Sequence, residues 1–123
     1  MAKVEIRYAV KSDFEALMED PLPWRVRAFA AVLDDELLGV GGLAFMPDGT
    51  VAAFVRMDEK ARRYKVAIHK AGLRTMQEAR RLGIRRVVAL AEDGIEPARR
   101  WLQRLGFKKM IIDDQEVWVW QTR

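Results

Sequence analysis

Residues 54–83 constrain this chain more than any other stretch. A short apolar run, Phe54-Val55-Arg56-Met57, meets an acidic step at Asp58-Glu59, and a basic segment over residues 60–82 follows and stops at Gly83. Apolar or small residues recur at Ala61, Tyr64, Ile68, Ala71, Thr75, Ala79 and Leu82, the three-and-four spacing of one face of an amphipathic helix. Gly72 is a weak point inside that helix, and Gly83 supplies a left-handed stop. A strand that runs straight into a helix N-terminus is a natural anion site, because the first amides of a helix have no partner within it. The junction is therefore the first place to look for function.

Charge points the same way. Residues 1–55 hold five Lys/Arg against nine Asp/Glu, whereas residues 56–123 hold seventeen against nine, for a net charge of +4 overall. A basic C-terminal half suits a phosphorylated cofactor, nucleic acid or an acidic protein, and the plain alternative is a solvated helix face. No nucleic-acid motif accompanies the charge, so that partner ranks last. At 123 residues, half hydrophobic and a third charged, a single packed domain is expected over residues 1–123. The absence of cysteine excludes disulfides and thiol chemistry and fits a reducing cytoplasm. One histidine, His69, and scattered carboxylates do not compose a zinc site. The charged, strand-like start is unlike a signal peptide, and the longest apolar run, residues 37–46, is too short to span a bilayer. A cytoplasmic protein with no membrane segment is expected.

The rest of the chain supplies the frame. Residues 4–8 alternate as a first strand, and Ser12 with Glu15 reads as a capping box for a short helix through Leu17 and Met18. Residues 20–24, with two prolines, break the chain, and Trp24 there either lines a pocket or plugs the core edge. Strands follow over 25–33, 36–45 and 51–57, joined by Asp34-Asp35 and by Pro47-Asp48-Gly49-Thr50, as an antiparallel meander. Gly39, Gly41 and Gly42 mark a bulge or a close approach of backbone or ligand. After the helix, residues 84–90 read as a buried strand parallel to the fourth. Residues 91–94 form a loop, and Pro97 opens a helix whose apolar face is Ala98, Trp101, Leu102 and Leu105. Gly106 ends it, and Phe107 packs back on that face. A closing hairpin over 108–112 and 116–121 sets Trp118 and Trp120 on one face and Val117 and Val119 on the other, for core packing or a stacking platform.

The resulting order is β-α-βββ-α-β-α-ββ, a mixed, mostly antiparallel α/β (α+β) fold. This order, with Asp35-Glu36-Leu37-Leu38-Gly39, Ala79-Arg80-Arg81-Leu82-Gly83-Ile84 and Leu105-Gly106-Phe107, resembles the GNAT N-acetyltransferase superfamily over nearly the whole chain. The resemblance implies acetyl-CoA as cofactor and an amine acceptor, small molecule or protein. It implies cofactor contacts from Val55 and Met57 of the fourth strand and from the start of the central helix. There the family's phosphate-binding loop falls on Arg63-Tyr64-Lys65-Val66-Ala67-Ile68, with β-branched Val66 and Ile68 where the family has glycine. Arg62, Arg63 and Lys65 would then hold the diphosphate by side chains. The family's C-terminal tyrosine falls on Leu102 and its asparagine on Ile95. In these departures the chain is similar to compact, degenerate phage-type members.

Acyl transfer needs a base for the amine and often an acid for the leaving thiolate. Asp58 and Glu92 are the carboxylate candidates, with Glu59 and Asp93 beside them; Tyr64 is a candidate acid that also fits the apolar stripe. If the central helix starts at Asp58, that carboxylate caps it and opposes a diphosphate at the same place. Two readings result: an acetyl-CoA-dependent N-acyltransferase, or a non-catalytic GNAT-like component that binds a virion or host partner or forms a homo-oligomer.

Overall fold

The computed structural model describes residues 3–17, 24–90 and 96–122. The elements are β1 (Glu5–Tyr8), α1 (Lys11–Leu17), β2 (Arg25–Leu33), β3 (Glu36–Phe45), β4 (Val51–Met57), a 3₁₀ turn (Glu59–Arg63), α2 (Lys65–Arg81), β5 (Arg86–Leu90), α3 (Glu96–Leu105), β6 (Lys108–Ile112) and β7 (Gln115–Gln121). The strands form one sheet in the order β1-β2-β3-β4-β5-β7-β6. Every neighbouring pair is antiparallel except β4 with β5. The expected α/β order is the one observed, with the 3₁₀ turn added.

Local chemistry explains the hairpins. Asp34 and Asp35 (φ 48° and 64°) and Asp113 and Asp114 (φ 51° and 62°) all take left-handed backbone, the geometry of a two-residue turn whose twist matches the flanking strands. Short polar side chains tolerate it. The glycines of β3 make room for neighbouring backbone: a Cβ at Gly42 would lie 2.1 Å from the Arg27 carbonyl oxygen. The pairing steps from Ala31↔Gly39 to Val32↔Leu37, so Leu38 is the extra residue of a bulge, and it is buried.

Helix α2 lies on one face of the sheet and α1 on the other. Ala53 of β4 packs into the cluster on the α2 side, and its neighbour Phe54 points the opposite way, where its ring lies 6.3 Å from that of Phe14 of α1. The main core joins Leu43, Met76, Ala79, Val87, Ala89, Leu105, Phe107, Trp118 and Trp120. Both tryptophans are 3% exposed or less, so they are core and no stacking platform. A second cluster, Ala31, Leu38 and Ala61, takes Tyr64 and Ile68 against it.

Four details differ from the sequence reading. The long helix is not continuous over residues 60–82: it breaks at Tyr64 (φ −116°, ψ 47°). Ser12 makes no side-chain hydrogen bond among the described residues; Asp13, in the first turn of α1, reaches back to accept the Val10 N–H at 2.7 Å while its two oxygens bind Arg7 at 2.8 and 3.0 Å. Strand β5 starts at Arg86, two residues late, because Ile84 belongs to the helix end: its N–H bonds the Ala79 carbonyl and that of Gly83 (φ 74°) the Arg80 carbonyl. Leu82, expected on the apolar stripe, is exposed. Residues 18, 20–23 and 91–95 and the Ala98 side chain lie outside the described residues. Among those described, no helix is long and apolar enough to cross a membrane.

Candidate functional site

The site forms where β4 leaves β5. The two parallel strands share one paired position, Ala52↔Val88, among the described residues. Asp58 donates its N–H to the Leu38 carbonyl at 2.8 Å, on the β3 side. By strand alternation, Val55 and Met57 direct their backbone groups the other way, toward the space beside β4. The Arg56 guanidinium bonds the Val55 carbonyl at 2.9 Å. Both strand residues expected at the cofactor therefore face the gap with their backbone polar groups.

Asp58 closes the strand and starts the 3₁₀ turn. Its Oδ1 accepts the Lys60 N–H at 3.0 Å, and among the described residues Oδ2 has no hydrogen bond. Lys60 reaches back to Glu36 at 3.3 Å, an exposed pair of small energetic weight. Ala61 is buried, and the chain then turns at Tyr64 into α2.

The start of α2 is bare. The Ile68 N–H makes the first helical bond, to the Tyr64 carbonyl at 3.0 Å. The amides of Lys65, Val66 and Ala67 precede it, no side chain caps them, and the first turn holds no acidic residue. The acidic cap expected to oppose an anion belongs instead to the 3₁₀ turn. Arg62, Arg63 and Lys65 are exposed and form no ion pair among the described residues. Helix amides, the positive end of the helix dipole and three cations thus meet in six residues, the donor set a diphosphate needs. Val66 is 71% exposed, so its branched side chain is turned to solvent.

The other candidates are placed as follows. The Tyr64 ring packs against the second core cluster. Glu92 lies outside the described residues. His69 sits half-buried on α2 with its Nδ1 buried and, among the described residues, without a partner; Nε1 of Trp101 on α3 is in the same state. Among the described residues no group of His, Asp and Glu could hold a metal ion. A shallow cavity of about 330 Å³ lies elsewhere, lined by Arg99, Gln103, Lys109, Glu116 and Trp118. There Glu116 accepts from Arg99 at 2.8 Å and from the Trp118 indole at 3.2 Å, which hold its carboxyl below the usual carboxylate range. Most of the site's donors are backbone amides, which side-chain motifs do not display. The one sequence signal for them is the absence of any acidic residue between Glu59 and Glu78.

No family model and no curated protein matches this sequence. Solved structures do match its shape. An acetyltransferase of the GNAT family from Staphylococcus aureus Mu50 is 12% identical, with 98% of this chain and 100% of that one covered and a TM-score of 0.77. The ribosomal-protein-S18-alanine N-acetyltransferase from Escherichia coli is 12% identical, covering 97% and 94%, with a TM-score of 0.75. An acetyltransferase from Bacillus subtilis, solved in complex with CoA, is 15% identical over 100% of both chains, with a TM-score of 0.72. Across such low identity, the shared feature is architecture: this chain has the GNAT fold.

Proposed function

We propose that this protein is an acyl-CoA-dependent N-acyltransferase that uses acetyl-CoA and acylates an amine, of a small molecule or a protein. The observation that carries the reading is the uncapped, acid-free start of α2 beside the diverging end of β4, within a fold shared with acetyltransferases. The amides of Lys65, Val66 and Ala67, with Ile68 closing the first turn, and the side chains of Arg62, Arg63 and Lys65 bind the diphosphate. The gap-facing backbone of Val55 and Met57 bonds an extended amide chain as a neighbouring strand would. The cofactor supplies an acyl group activated as a thioester. Asp58, whose Oδ2 has no hydrogen bond among the described residues, accepts the proton that the amine must lose. Tyr64 as acid and Glu92 as a second base complete the candidate set for proton transfer.

A second reading, a non-catalytic component that engages a virion or host protein, is favoured by Val66 and Ile68, which stand where related loops carry glycine. Calorimetric titration with acetyl-CoA separates the two. We expect micromolar binding, weakened about 10- to 100-fold by combined alanine substitution of Arg62, Arg63 and Lys65, as befits loss of charge-assisted bonds. Silence at millimolar acetyl-CoA sinks the enzyme reading; binding without acetylation across an amine panel favours the second.

A further inference from the structure

Strand β6 is an edge of the sheet, and all five of its residues are exposed. Met110, Ile111 and Ile112 are 43%, 63% and 41% exposed. An apolar edge strand is a template for pairing with another chain, and proteins ordinarily shorten, charge or cover such edges. This one is charged only at its ends. It reads Lys108-Lys109-Met110-Ile111-Ile112-Asp113-Asp114, basic, then apolar, then acidic.

Its backbone is set for a partner. Ile112 and Gln115 flank a two-residue turn and so form a hydrogen-bonded pair, as do Met110 with Val117 and Lys108 with Val119 at alternate positions. Lys109 and Ile111 therefore direct their N–H and C=O groups to the free edge. The strand ends at Ile112, with Asp113 (φ 51°) in the turn, so an antiparallel partner centred on Ile111 would pair the outward groups at the middle of the exposed apolar run.

We infer that β6 pairs with β6 of a second copy of this chain across a two-fold axis at Ile111, joining two sheets into one. In that register Ile111 faces the partner's Ile111, Met110 faces the partner's Ile112, and the basic start of the strand, Lys108 and Lys109, comes to the partner's acidic turn at Asp113 and Asp114. Every exposed apolar side chain meets an apolar one, and each basic end meets an acidic end. Shifting the register by two residues sets Lys108 opposite Ile112, or carries Ile111 past the partner's strand end to its acidic turn. Parallel pairing sets Lys against Lys and Asp against Asp. The charge pattern thus selects one self-pairing and opposes its neighbours. Outward-turned ladder groups, apolar centre and charge order all fit a second copy.

The chain has no cysteine, which makes the register directly readable. Residues facing each other in an antiparallel ladder lie within disulfide reach. Ile111→Cys should cross-link to a dimer on mild oxidation. Lys109→Cys should not, because in this register its two copies are about 13 Å apart along the strands. Sedimentation from micromolar to millimolar protein should show a reversible dimer, and Ile111→Lys should weaken association at least tenfold with the thermal midpoint of the monomer unchanged. A wild-type chain monomeric throughout overturns the inference, leaving the edge to a different partner. Dimerisation undiminished by Ile111→Lys, or cross-linking at residue 109 in place of 111, overturns it as well.

Discussion

Asp58 shows how one side chain can serve the backbone and remain available for chemistry. One oxygen accepts the Lys60 N–H and the other is unbonded among the described residues. Asparagine retains the first interaction through its carbonyl oxygen and loses basicity. Asp58→Asn should lower kcat for amine acetylation about 100-fold, within the usual span of general-base catalysis. Acetyl-CoA affinity and the melting temperature should hold; equal loss of affinity would place Asp58 in binding instead. Its capping of the turn was legible from its position between strand and helix. The cap of α1 was not. Ser12 had the right type and spacing, but the bond at the start of the helix comes from Asp13 in the first turn to the Val10 N–H, and Arg7 binds both Asp13 oxygens from the adjacent strand, a tertiary contact that local pattern does not contain.

At the level of elements, the strands and hairpins follow closely from alternation and turn residues, and each lies within two residues of where its pattern put it. The central helix is the instructive exception. Ala61 to Tyr64 is a spacing of three and Tyr64 to Ile68 one of four, so a 3₁₀ turn followed by an α-helix leaves the same apolar stripe as one continuous helix. The break was invisible to periodicity, and with it the bare amides of the site. Gly72 is the reverse case, a residue that looked like a weakness and proves to be a spacer. A Cβ there would lie 3.0 Å from Trp101 and 3.1 Å from Leu105, so glycine is what lets α3 pack against α2. Alanine would gain about 1 kcal/mol of helix propensity and incur about 1–3 kcal/mol of overpacking. Gly72→Ala should therefore leave stability to urea unchanged or reduced by up to about 2 kcal/mol, whereas an exposed helical glycine would show a gain.

For the molecule as a whole, three carboxylates tie separate elements together. Arg7 holds the Asp13 carboxyl below its ordinary range, Arg81 does the same for Glu78 with help from Arg27 and Tyr8, and Arg99 for Glu116. Groups with depressed folded pKa values contribute stability that is complete above the ordinary carboxylate range and is lost as pH falls through the depressed values. The melting temperature should stay level from pH 7 to about 5 and fall below about 4, with Glu78→Gln flattening part of that fall.

The single paired position between β4 and β5 has a kinetic meaning as well. Sheet interiors are ordinarily where solvent deuterium enters last. Here the described residues pair β4 with β5 at one position and give the Met57 amide no partner on that side. Isotope exchange should therefore trace a fast line through the centre of the molecule, between two slow halves, β2–β3 and β5–β7. Ligand seated in that line would close it, so the rate of labelling at Met57 is a measure of occupancy that needs no turnover at all.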